Sequence, residues 1–279
     1  MVYTKEILQK KIEKEKLSDK MKVSIITTCY NRVKTIKDAI ESVKAQTYED
    51  IEYIIVDGAS TDGSVEVIKT AIAQGFNNSR GGVKFISEPD GGMYEAVNKG
   101  LNLATGDVVG LLHSDDMFYD NQVVADIVDE FHKKDNVDFV YGDGLFVNPD
   151  DVSKVVRKWI GGRYSTRKVK HGWLPLHPTC YVRRKILNFP KPYNEKYKIA
   201  ADTDFLIKIL LRKGILVCYL PRYIVRMRMG GLSTDSKRRK QMWKEDMDIF
   251  LLNGFKHPLL TKLEKMMWKI PQFIKAKFI

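Results

Sequence analysis

The stretch "KVSIITTCYNRVKTIKDAIESVKAQ", residues 22–46, places a short apolar, β-branched run before apolar residues at helical spacing. The first part predicts a buried β-strand, and "TIKDAIESVKAQ" predicts an amphipathic helix. The same order repeats along the chain, with strands predicted at 51–57, 83–90, 107–116 and 137–143, and helices at 64–74, 93–104 and 121–134. This alternation predicts an α/β fold of βαβ units, with a mostly parallel sheet covered on both faces.

The pattern changes after residue 143, where strands and helices no longer alternate regularly. The predicted elements there are short strands at 144–150 and 154–160, a basic loop at 161–175, a helix at 201–214, a strand at 215–221 and an irregular segment at 227–234. We interpret this part as a continuation of the same domain that forms the second wall of a cleft. Two flanking segments predict further helices, a short amphipathic one at 1–20 and a basic extension at 233–279.

Charge and cysteine content limit the classes of function. The 279 residues carry a net charge of +12, which indicates an anionic partner such as nucleic acid, anionic lipid or a phosphorylated substrate. Cys29, Cys180 and Cys218 are widely spaced, which disfavours a disulfide framework and a zinc site and predicts reduced, cytosolic thiols. The first 20 residues lack the apolar core of a secretory signal. No segment approaches the ~18–20 apolar residues that span a bilayer.

Polar side chains follow the predicted strands at the points where they end. Because ligands bind outside the carboxyl ends of parallel strands, these residues form the candidate site. In chain order they are Thr28, Tyr30 and Arg32, then Asp57, then Asp90, then His113, Asp115 and Asp116. The patterns G-x-G-x-x-G and G-x-x-x-x-G-K-[ST] do not occur at the first strand end, so the ordinary dehydrogenase and P-loop sites are disfavoured.

The residue types at these strand ends indicate a nucleotide and a metal ion. Tyr30 would stack on a base, and Asp57 would accept hydrogen bonds from a base or ribose. The adjacent carboxylates of Asp115 and Asp116 are costly to desolvate without a cation, and they suit Mg²⁺ or Mn²⁺. Such an ion would also neutralise a diphosphate leaving group. N-capping is the alternative role for polar residues that precede helices.

Four segments together resemble one enzyme family. They are "VSIITTCYNR" (23–32), "IEYIIVDGASTDGS" (51–64), "ISEPDGGMYEAVNKGLNLATGDVVGLLHSDD" (86–116) and "IAADTDFLIKIL" (199–210). Their order and spacing resemble glycosyltransferase family 2, the inverting enzymes with the GT-A fold that use nucleotide-sugar donors. The likeness covers about residues 22–232, and it is nearest to the bacterial subgroup that builds capsular, exopolysaccharide and O-antigen repeat units.

The resemblance assigns roles by position. The implied donor-binding residues are Thr28, Tyr30, Arg32, Asp57, Asp90 and Lys99. Asp115 and Asp116 would hold a Mn²⁺ or Mg²⁺ ion together with the diphosphate. His113 stands where the family has an acid, and as a neutral imidazole it is a third candidate ligand. Many relatives have arginine at the position of Val97, so Lys99 would supply that charge.

The resemblance also implies a catalytic base and an acceptor segment. Inversion by direct displacement requires a general base that takes the proton from the acceptor hydroxyl. The family has a carboxylate at a helix start beyond the donor half, and "AADTD" nominates Asp202 with Asp204 in support, capping being the alternative. In "GWLPLHPTCY" (172–181), Trp173 would stack on a sugar ring and His177 would contact acceptor or pyrophosphate. Alternatively, Trp173 is an aromatic residue of the core, and His177 is a core histidine with its hydrogen bonds satisfied.

The predicted domain comprises residues 21–232, with a donor half at 21–143 and an acceptor half at 144–232. In the extension at 233–279, the run "MMWKIPQFIKAKFI" interleaves Trp, Phe and Lys as membrane-interfacial helices do. Binding to an anionic membrane would suit a saccharide acceptor carried on polyprenyl diphosphate. It would place the protein in the cytoplasm, peripheral on the inner face of the plasma membrane. Packing on the domain or on a partner helix would produce the same pattern.

Other functions fit parts of this sequence. A nucleotidyltransferase also combines such a sheet with acidic residues, but its first loop is normally rich in Gly and Arg or Lys, unlike "TTCYNR". A nucleic-acid-binding protein would suit the charge, but no recognition motif accompanies it, and no nucleic-acid partner is expected. A catalytically impaired scaffold would explain His113. The leading prediction is a metal-dependent inverting transferase that moves a sugar from a nucleotide diphosphate, by family expectation UDP, to a saccharide acceptor in bacterial cell-surface polysaccharide biosynthesis.

Overall fold

The computed structural model describes residues 21–76, 80–133, 136–230, 238–270 and 272. The helix predicted at 1–20 lies outside the described residues. The first half contains β1 (Val23–Cys29), α1 (Ile36–Lys44), β2 (Ile51–Asp57), α2 (Ser64–Ala73), β3 (Val83–Ser87), α3 (Met93–Leu103), β4 (Val108–Leu111), β5 (Asp116–Phe118) and α4 (Val123–Lys133). The alternation of strand and helix predicted for this half is confirmed.

The second half is less regular. It contains β6 (Phe139–Val147), β7 (Val155–Trp159), α5 (Thr166–Lys170), β8 (Cys180–Arg183), α6 (Ala201–Leu210), β9 (Val217–Arg228), α7 (Arg239–Leu252) and α8 (Pro258–Met267). Short 3₁₀ turns at His177–Thr179 and Arg184–Ile186 flank β8. The predicted helical character of the C-terminal extension is therefore confirmed for the residues that the structure describes.

All nine described strands belong to one sheet. Its order is β3-β2-β1-β4-β8-β6-β9-β5, with β7 paired to β6. Strands β1 to β4 are parallel to one another, β8 is antiparallel to β4 and β6, and β9 is parallel to β6. Helices cover both faces, and two apolar clusters lie on the two sides of the sheet. The predicted α/β class with a mostly parallel sheet is confirmed.

The predicted element boundaries were wrong in the middle of the chain. The strand predicted at 107–116 ends at Leu111, because the chain turns at His113 and the Asp116 N–H donates to the His113 carbonyl at 3.0 Å. Asp116 begins the separate strand β5, antiparallel to β9. The two strands predicted at 137–143 and 144–150 are one strand, β6. It passes through Gly142, where a Cβ would lie 2.5 Å from the Ile224 side chain.

Two further boundaries were missed. Strand β8 was not predicted, and β9 continues through Met227 and Arg228, into the segment predicted to be irregular. Both corrections arise because these strands pair with partners far along the chain, so local residue pattern carries little information about them. Among the described residues, no helix is long and apolar enough to cross a membrane.

Candidate active site

A large cleft opens at the carboxyl ends of β1 and β4. Its volume of about 1260 Å³ exceeds the ~300–1,000 Å³ of most small-molecule sites, so it has room for two substrates. One side is lined by Thr28, Tyr30, Arg32, Asp90 and Asp115, and the other by residues of β7, α6 and α8. The cleft therefore lies where the end of a parallel sheet is expected to bind a ligand.

The loop after β1 is braced by the loop after β2. Asn31 adopts a positive φ of 52°, its amide N–H donates to Ser60 Oγ at 2.8 Å, and its Oδ1 accepts from the Thr61 N–H at 2.9 Å. The Arg32 N–H donates to Ser64 Oγ at 2.8 Å. These contacts leave the Tyr30 ring 62% exposed at the cleft edge, available to stack on a flat ligand.

Asp57 is not among the residues that line the cleft, and its predicted contact with a base or ribose stays a prediction. Its carboxylate is fully buried and accepts hydrogen bonds from the Ser60 N–H at 2.9 Å, from Ser60 Oγ and from Ser87 Oγ at 2.7 Å. In this structure, Asp57 positions the loop that begins at Gly58, and that loop lines the cleft.

Asp90 and Lys99 also serve local structure. Asp90 lines the cleft, and its Oδ1 accepts from the Gly92 N–H at 2.8 Å, at the start of α3. Lys99 Nζ pairs with Glu88 at 2.9 Å and with Glu95 at 3.3 Å, and it donates to the Pro89 carbonyl. These acids already balance the charge of Lys99, and its predicted role in the donor site stays a prediction.

The carboxylates after β4 differ in exposure. Asp115 lines the cleft, whereas Asp116 is only 2% exposed and its Oδ1 accepts from the Arg228 N–H at 3.2 Å. Burial and the neighbouring Asp115 raise the pKa of Asp116 well above its ordinary value. The cation near these two carboxylates is Arg228. Its Nη1 donates to the Asp115 backbone carbonyl at 2.9 Å, and its guanidinium pairs with Asp38. Sequence reasoning did not nominate Arg228.

The residues present fit a divalent cation. Asp116 Oδ2 is buried without a hydrogen-bond partner among the described residues, and Asp115 adds a second carboxylate in the cleft. Within that same part of the chain, no group of three or more His, Cys, Asp or Glu side chains is arranged to hold a metal. Mg²⁺ and Mn²⁺ are commonly bound by one or two carboxylates together with substrate phosphates, so a bound diphosphate would complete this ligand set.

Asp202 lies in the first turn of α6 and lines the cleft. Its Oδ1 accepts from the Thr203 N–H at 2.7 Å. Burial raises the pKa of Asp202, and nearby Lys265 partly opposes that rise. Asp204 instead points away from the cleft, pairs with Lys208 at 2.6 Å and accepts from Asn253 Nδ2 at 3.0 Å. Its contacts stabilise the packing of α6 on α7, so the structure gives it no contact with the predicted base.

Glu245 of α7 holds the backbone that leads into α6. Its carboxylate accepts from the N–H groups of Lys198 at 3.0 Å, Ile199 at 2.9 Å and Ala200 at 2.9 Å. These donors precede the helix that carries Asp202, so the C-terminal extension positions the predicted base. Sequence reasoning missed Glu245, because it is 45 residues from Ala200 and no local pattern marks the contact.

Helix α8 completes the acceptor side of the cleft. Asp246 is 1% exposed and pairs with Lys262 and with Lys265, the latter at 2.8 Å. Lys265 Nζ also donates to Thr203 Oγ1 at 2.8 Å, next to Asp202. Lys265, Trp268 and Lys269 line the cleft. The extension is thus a structural part of the site, which sequence reasoning did not predict.

Trp173 and His177 line the cleft but are mostly buried. The Trp173 ring meets the Tyr141 ring edge-on at 5.8 Å and is 6% exposed. His177 Nε2 forms a hydrogen bond with the Tyr193 hydroxyl at 2.7 Å, and its ring lies 6.1 Å from that of His113. Burial and the second histidine lower the pKa of His177 to about 3, so it is neutral. Burial also lowers the pKa of His113, which leaves a neutral imidazole beside Asp115.

Comparison with known proteins agrees with this fold. The family model "Glycosyl transferase family 2" matches residues 24–194, more than half of the chain. The chain belongs to glycosyl transferase family 2. A "PGL/p-HBAD biosynthesis glycosyltransferase" of Mycobacterium bovis (strain BCG / Pasteur 1173P2) is 28% identical over 212 residues, which cover 75% of this chain and 78% of that protein. The family resemblance found in the sequence is confirmed, and the protein is a glycosyltransferase.

Solved structures share the GT-A fold. S. aureus TarS 1-349 in complex with UDP-GlcNAc has a TM-score of 0.63 at 19% identity, covering 92% of this chain and 79% of that one. The mannosyltransferase PcManGT from Pyrobaculum calidifontis, in complex with GDP-Man and Mn²⁺, has a TM-score of 0.64 at 16% identity. The match covers 92% of this chain and 74% of that one. The predicted GT-A architecture is therefore confirmed. The boundaries predicted at 143 and 232, and the role of each site residue, stay predictions.

Proposed function

We propose that this glycosyltransferase inverts the anomeric centre of a UDP-sugar and transfers the sugar to a hydroxyl of a saccharide acceptor. The observation that carries the proposal is the placement of Asp202 in the same cleft as Asp115, Asp116 and Arg32. A single displacement needs a base on the acceptor side and positive charge around the leaving diphosphate. The two sides of the cleft provide these two requirements separately.

In the proposed reaction, Asp202 takes the proton from the acceptor hydroxyl while that oxygen attacks the anomeric carbon. The bond between this carbon and the diphosphate oxygen breaks, UDP leaves with the electron pair, and the proton stays on Asp202. A pKa raised by burial makes Asp202 a stronger base than an exposed aspartate. Arg32 lies where it would contact the donor diphosphate.

A divalent cation, Mn²⁺ or Mg²⁺, would be held by Asp115 and Asp116 and would neutralise charge on the leaving diphosphate. The buried Oδ2 of Asp116 supports this assignment, and the Mn²⁺ complex of a protein with the same fold is consistent with it. His113, which also lines the cleft, would be a third candidate ligand. Tyr30 would stack on the uracil, an assignment that agrees with the exposed ring at the cleft edge.

We propose that the acceptor is lipid-linked, in bacterial cell-surface polysaccharide biosynthesis, and that the enzyme acts in the cytoplasm at the inner face of the plasma membrane. Support comes from apolar side chains on α7 and α8 that point into solvent: Leu251, Leu252, Leu259, Leu260, Leu263, Met266 and Met267. Nearby Lys and Arg residues would attract an anionic membrane surface. Trp173 and His177 would then contact the acceptor from inside the cleft.

The test is a panel of UDP-, GDP- and dTDP-sugars with Mn²⁺, following release of the nucleoside diphosphate. We expect release from a UDP-sugar, a loss of about 10²–10⁴-fold in Asp202→Asn, and loss of the metal effect in Asp115→Ala. Asp129→Asn, on the exposed face of α4, is the matched control and should retain full activity. UDP binding without turnover and without any metal effect would instead support a catalytically impaired scaffold.

A further inference from the structure

Among the described residues, the mostly buried lysines on the acceptor side of the cleft outnumber the carboxylates that pair with them. We call Arg157 of β7, Lys265 of α8 and Lys269, two residues after the end of α8, the basic wall; all three line the cleft. Lys262 adds a fourth cation behind it and pairs with Asp246. Asp246 is the acid that also binds Lys265, so one carboxylate serves two lysines.

Neighbouring side chains fix the orientation of the Arg157 guanidinium group. Its side chain is mostly buried, its Nε donates to Gln272 Oε1 at 2.9 Å, and its guanidinium lies 4.6 Å from the Phe146 ring and 5.2 Å from the Trp159 ring. Stacking and the amide contact fix the orientation of the guanidinium before any ligand arrives. A preorganised arginine loses little side-chain entropy when it binds an anion.

Lys269 is the lysine of the basic wall whose positive charge has the least support from nearby carboxylates. Among the described residues, no carboxylate forms an ion pair with it, although it is mostly removed from solvent. Burial and the charges of Lys265 and Lys262 lower the pKa of Lys269 to about 8. A lysine in this position is poorly stabilised as a cation until an anion binds beside it.

The location of the basic wall assigns the anion to the acceptor rather than to the donor. Lys265 donates to Thr203 Oγ1, one residue after Asp202. The donor diphosphate would lie instead at the ends of β1 and β4, near Arg32 and Asp115. A group bound by the basic wall therefore approaches Asp202 from β7 and α8.

We propose that Arg157, Lys265 and Lys269 bind a phosphate group of the acceptor and thereby hold its hydroxyl near Asp202. This inference rests on the proposed function, which supplies the role of Asp202. The chemistry recognised is a phosphate ester or diphosphate, either in a soluble phosphosugar or at the head of a lipid carrier. Arginine and lysine both donate charge-assisted hydrogen bonds to such a group.

The test titrates glucose 1-phosphate into the full-length protein kept saturated with UDP and Mg²⁺, so that the donor end is filled. Tryptophan fluorescence reports binding, since Trp173 and Trp268 line the cleft. Glucose is the neutral matched ligand. The variants are Lys269→Met, Lys269→Arg and Lys213→Met, the last an exposed lysine after α6. Thermal unfolding checks the fold of each variant, and Lys269→Met should be no less stable than the wild type.

We expect glucose 1-phosphate to bind at least about tenfold more tightly than glucose. Lys269→Met should weaken the binding of glucose 1-phosphate about tenfold or more. Lys269→Arg and Lys213→Met should stay within about threefold of the wild type. Equal binding of the two sugars, or an unchanged affinity in a folded Lys269→Met protein, would overturn the proposal.

A second arm separates binding of an acceptor phosphate from binding of an anionic membrane surface. The same variants are mixed with vesicles of phosphatidylglycerol or of phosphatidylcholine. If Lys269→Met weakens binding to phosphatidylglycerol vesicles but leaves glucose 1-phosphate binding unchanged, Lys269 belongs to a membrane surface and the proposal fails. If UDP itself does not bind, the proposed function fails. The phosphosugar titration without UDP still decides whether the basic wall binds phosphate.

Discussion

The two walls of the cleft are held in place by different interactions. The donor wall rests mainly on apolar packing, since β1 and β2 are fully buried and most of their side chains are apolar, with Glu52 and Asp57 as their two carboxylates. The acceptor wall is joined by buried charged groups, with Glu245 bound to three backbone N–H groups and Asp246 bound to two lysines. Apolar packing spreads stability over many contacts, whereas a buried ion pair concentrates it in few. The acceptor wall should therefore be the more sensitive to single substitutions.

The largest effect on stability is expected from Asp246→Ala. This change leaves Lys262 and Lys265 buried without their carboxylate, and breaking such a pair costs about 3–5 kcal/mol of unfolding free energy. In the donor wall, Ile40→Val should cost only about 0.5–1.5 kcal/mol. Urea unfolding followed by circular dichroism measures both values.

The matched control is Asp248→Asn, on the same helix as Asp246. It removes the charge from a solvent-exposed pair with Lys196 and keeps an oxygen that accepts from the Tyr197 hydroxyl. Exposed pairs contribute less than about 1 kcal/mol, so this variant should remain close to the wild type. If Asp246→Ala and Asp248→Asn unfolded at the same urea concentration, the difference between the two walls would disappear.

The next largest effect is a loss of catalytic rate in the Glu245→Gln variant. Glu245 Oε1 accepts from the Lys198 N–H and Oε2 from the N–H groups of Ile199 and Ala200. A glutamine must turn its NH₂ group toward one of these donors, which costs about 1–3 kcal/mol. Because this backbone leads to Asp202, kcat should fall about 10–30-fold while the Kd for UDP changes little.

Glu66→Gln, an exposed change on α2, serves as the control for lost negative charge. A Glu245→Gln protein with unchanged kcat would mean that the segment before α6 keeps its position without the carboxylate. A raised Kd for UDP would mean that the donor wall also depends on α7.

A smaller effect is expected where α8 docks on the loop after α5. Gly172 has a φ of +75°, and a Cβ there would lie 2.6 Å from the Thr261 carbonyl. Gly172→Ala should therefore cost about 1–2 kcal/mol and loosen the contact in which Trp268 Nε1 donates to the His171 carbonyl. Gly214→Ala is the control, because it has a similar φ of +79° with open space around the site. Equal losses of stability in the two variants would mean that the close approach of α8 contributes nothing.

These differences also explain what could be predicted from the sequence. Apolar periodicity is a local signal, so the strands and helices of the donor wall were predicted, and strand ends placed Thr28, Tyr30 and Asp115 at the cleft. Asp57 and Lys99 have the expected residue types in the expected motifs, but the sequence did not predict their local hydrogen-bond and ion-pair partners. The basic wall and Glu245 depend on contacts between segments far apart in the chain. No spacing within 233–279 distinguishes a lysine that faces the cleft from one that faces solvent.

The smallest effect is a shift in pH dependence in Lys265→Met. Burial raises the pKa of Asp202, and the positive charge of Lys265 lowers it. The base acts as a carboxylate, so activity should fall as the pH drops through the pKa of Asp202. Without Lys265 this pKa rises further, and the acid limb of kcat/KM should move to higher pH. The change in kcat/KM should be largest on the acid side and should fall below about tenfold as the pH rises, because the carboxylate is then ionised in both proteins.

Release of UDP with water as the acceptor isolates this effect, because no phosphosugar then occupies the basic wall. Lys262 still pairs with Asp246 in this variant, so the fold should be retained, and Lys265→Arg should restore the wild-type profile. An acid limb that stayed in place, or moved to lower pH, would show that the group titrating in the profile is not Asp202. A shift in the expected direction would mean that α8 tunes the base as well as enclosing the cleft. The acceptor wall would then contribute to the chemistry through the same buried charges that hold it together.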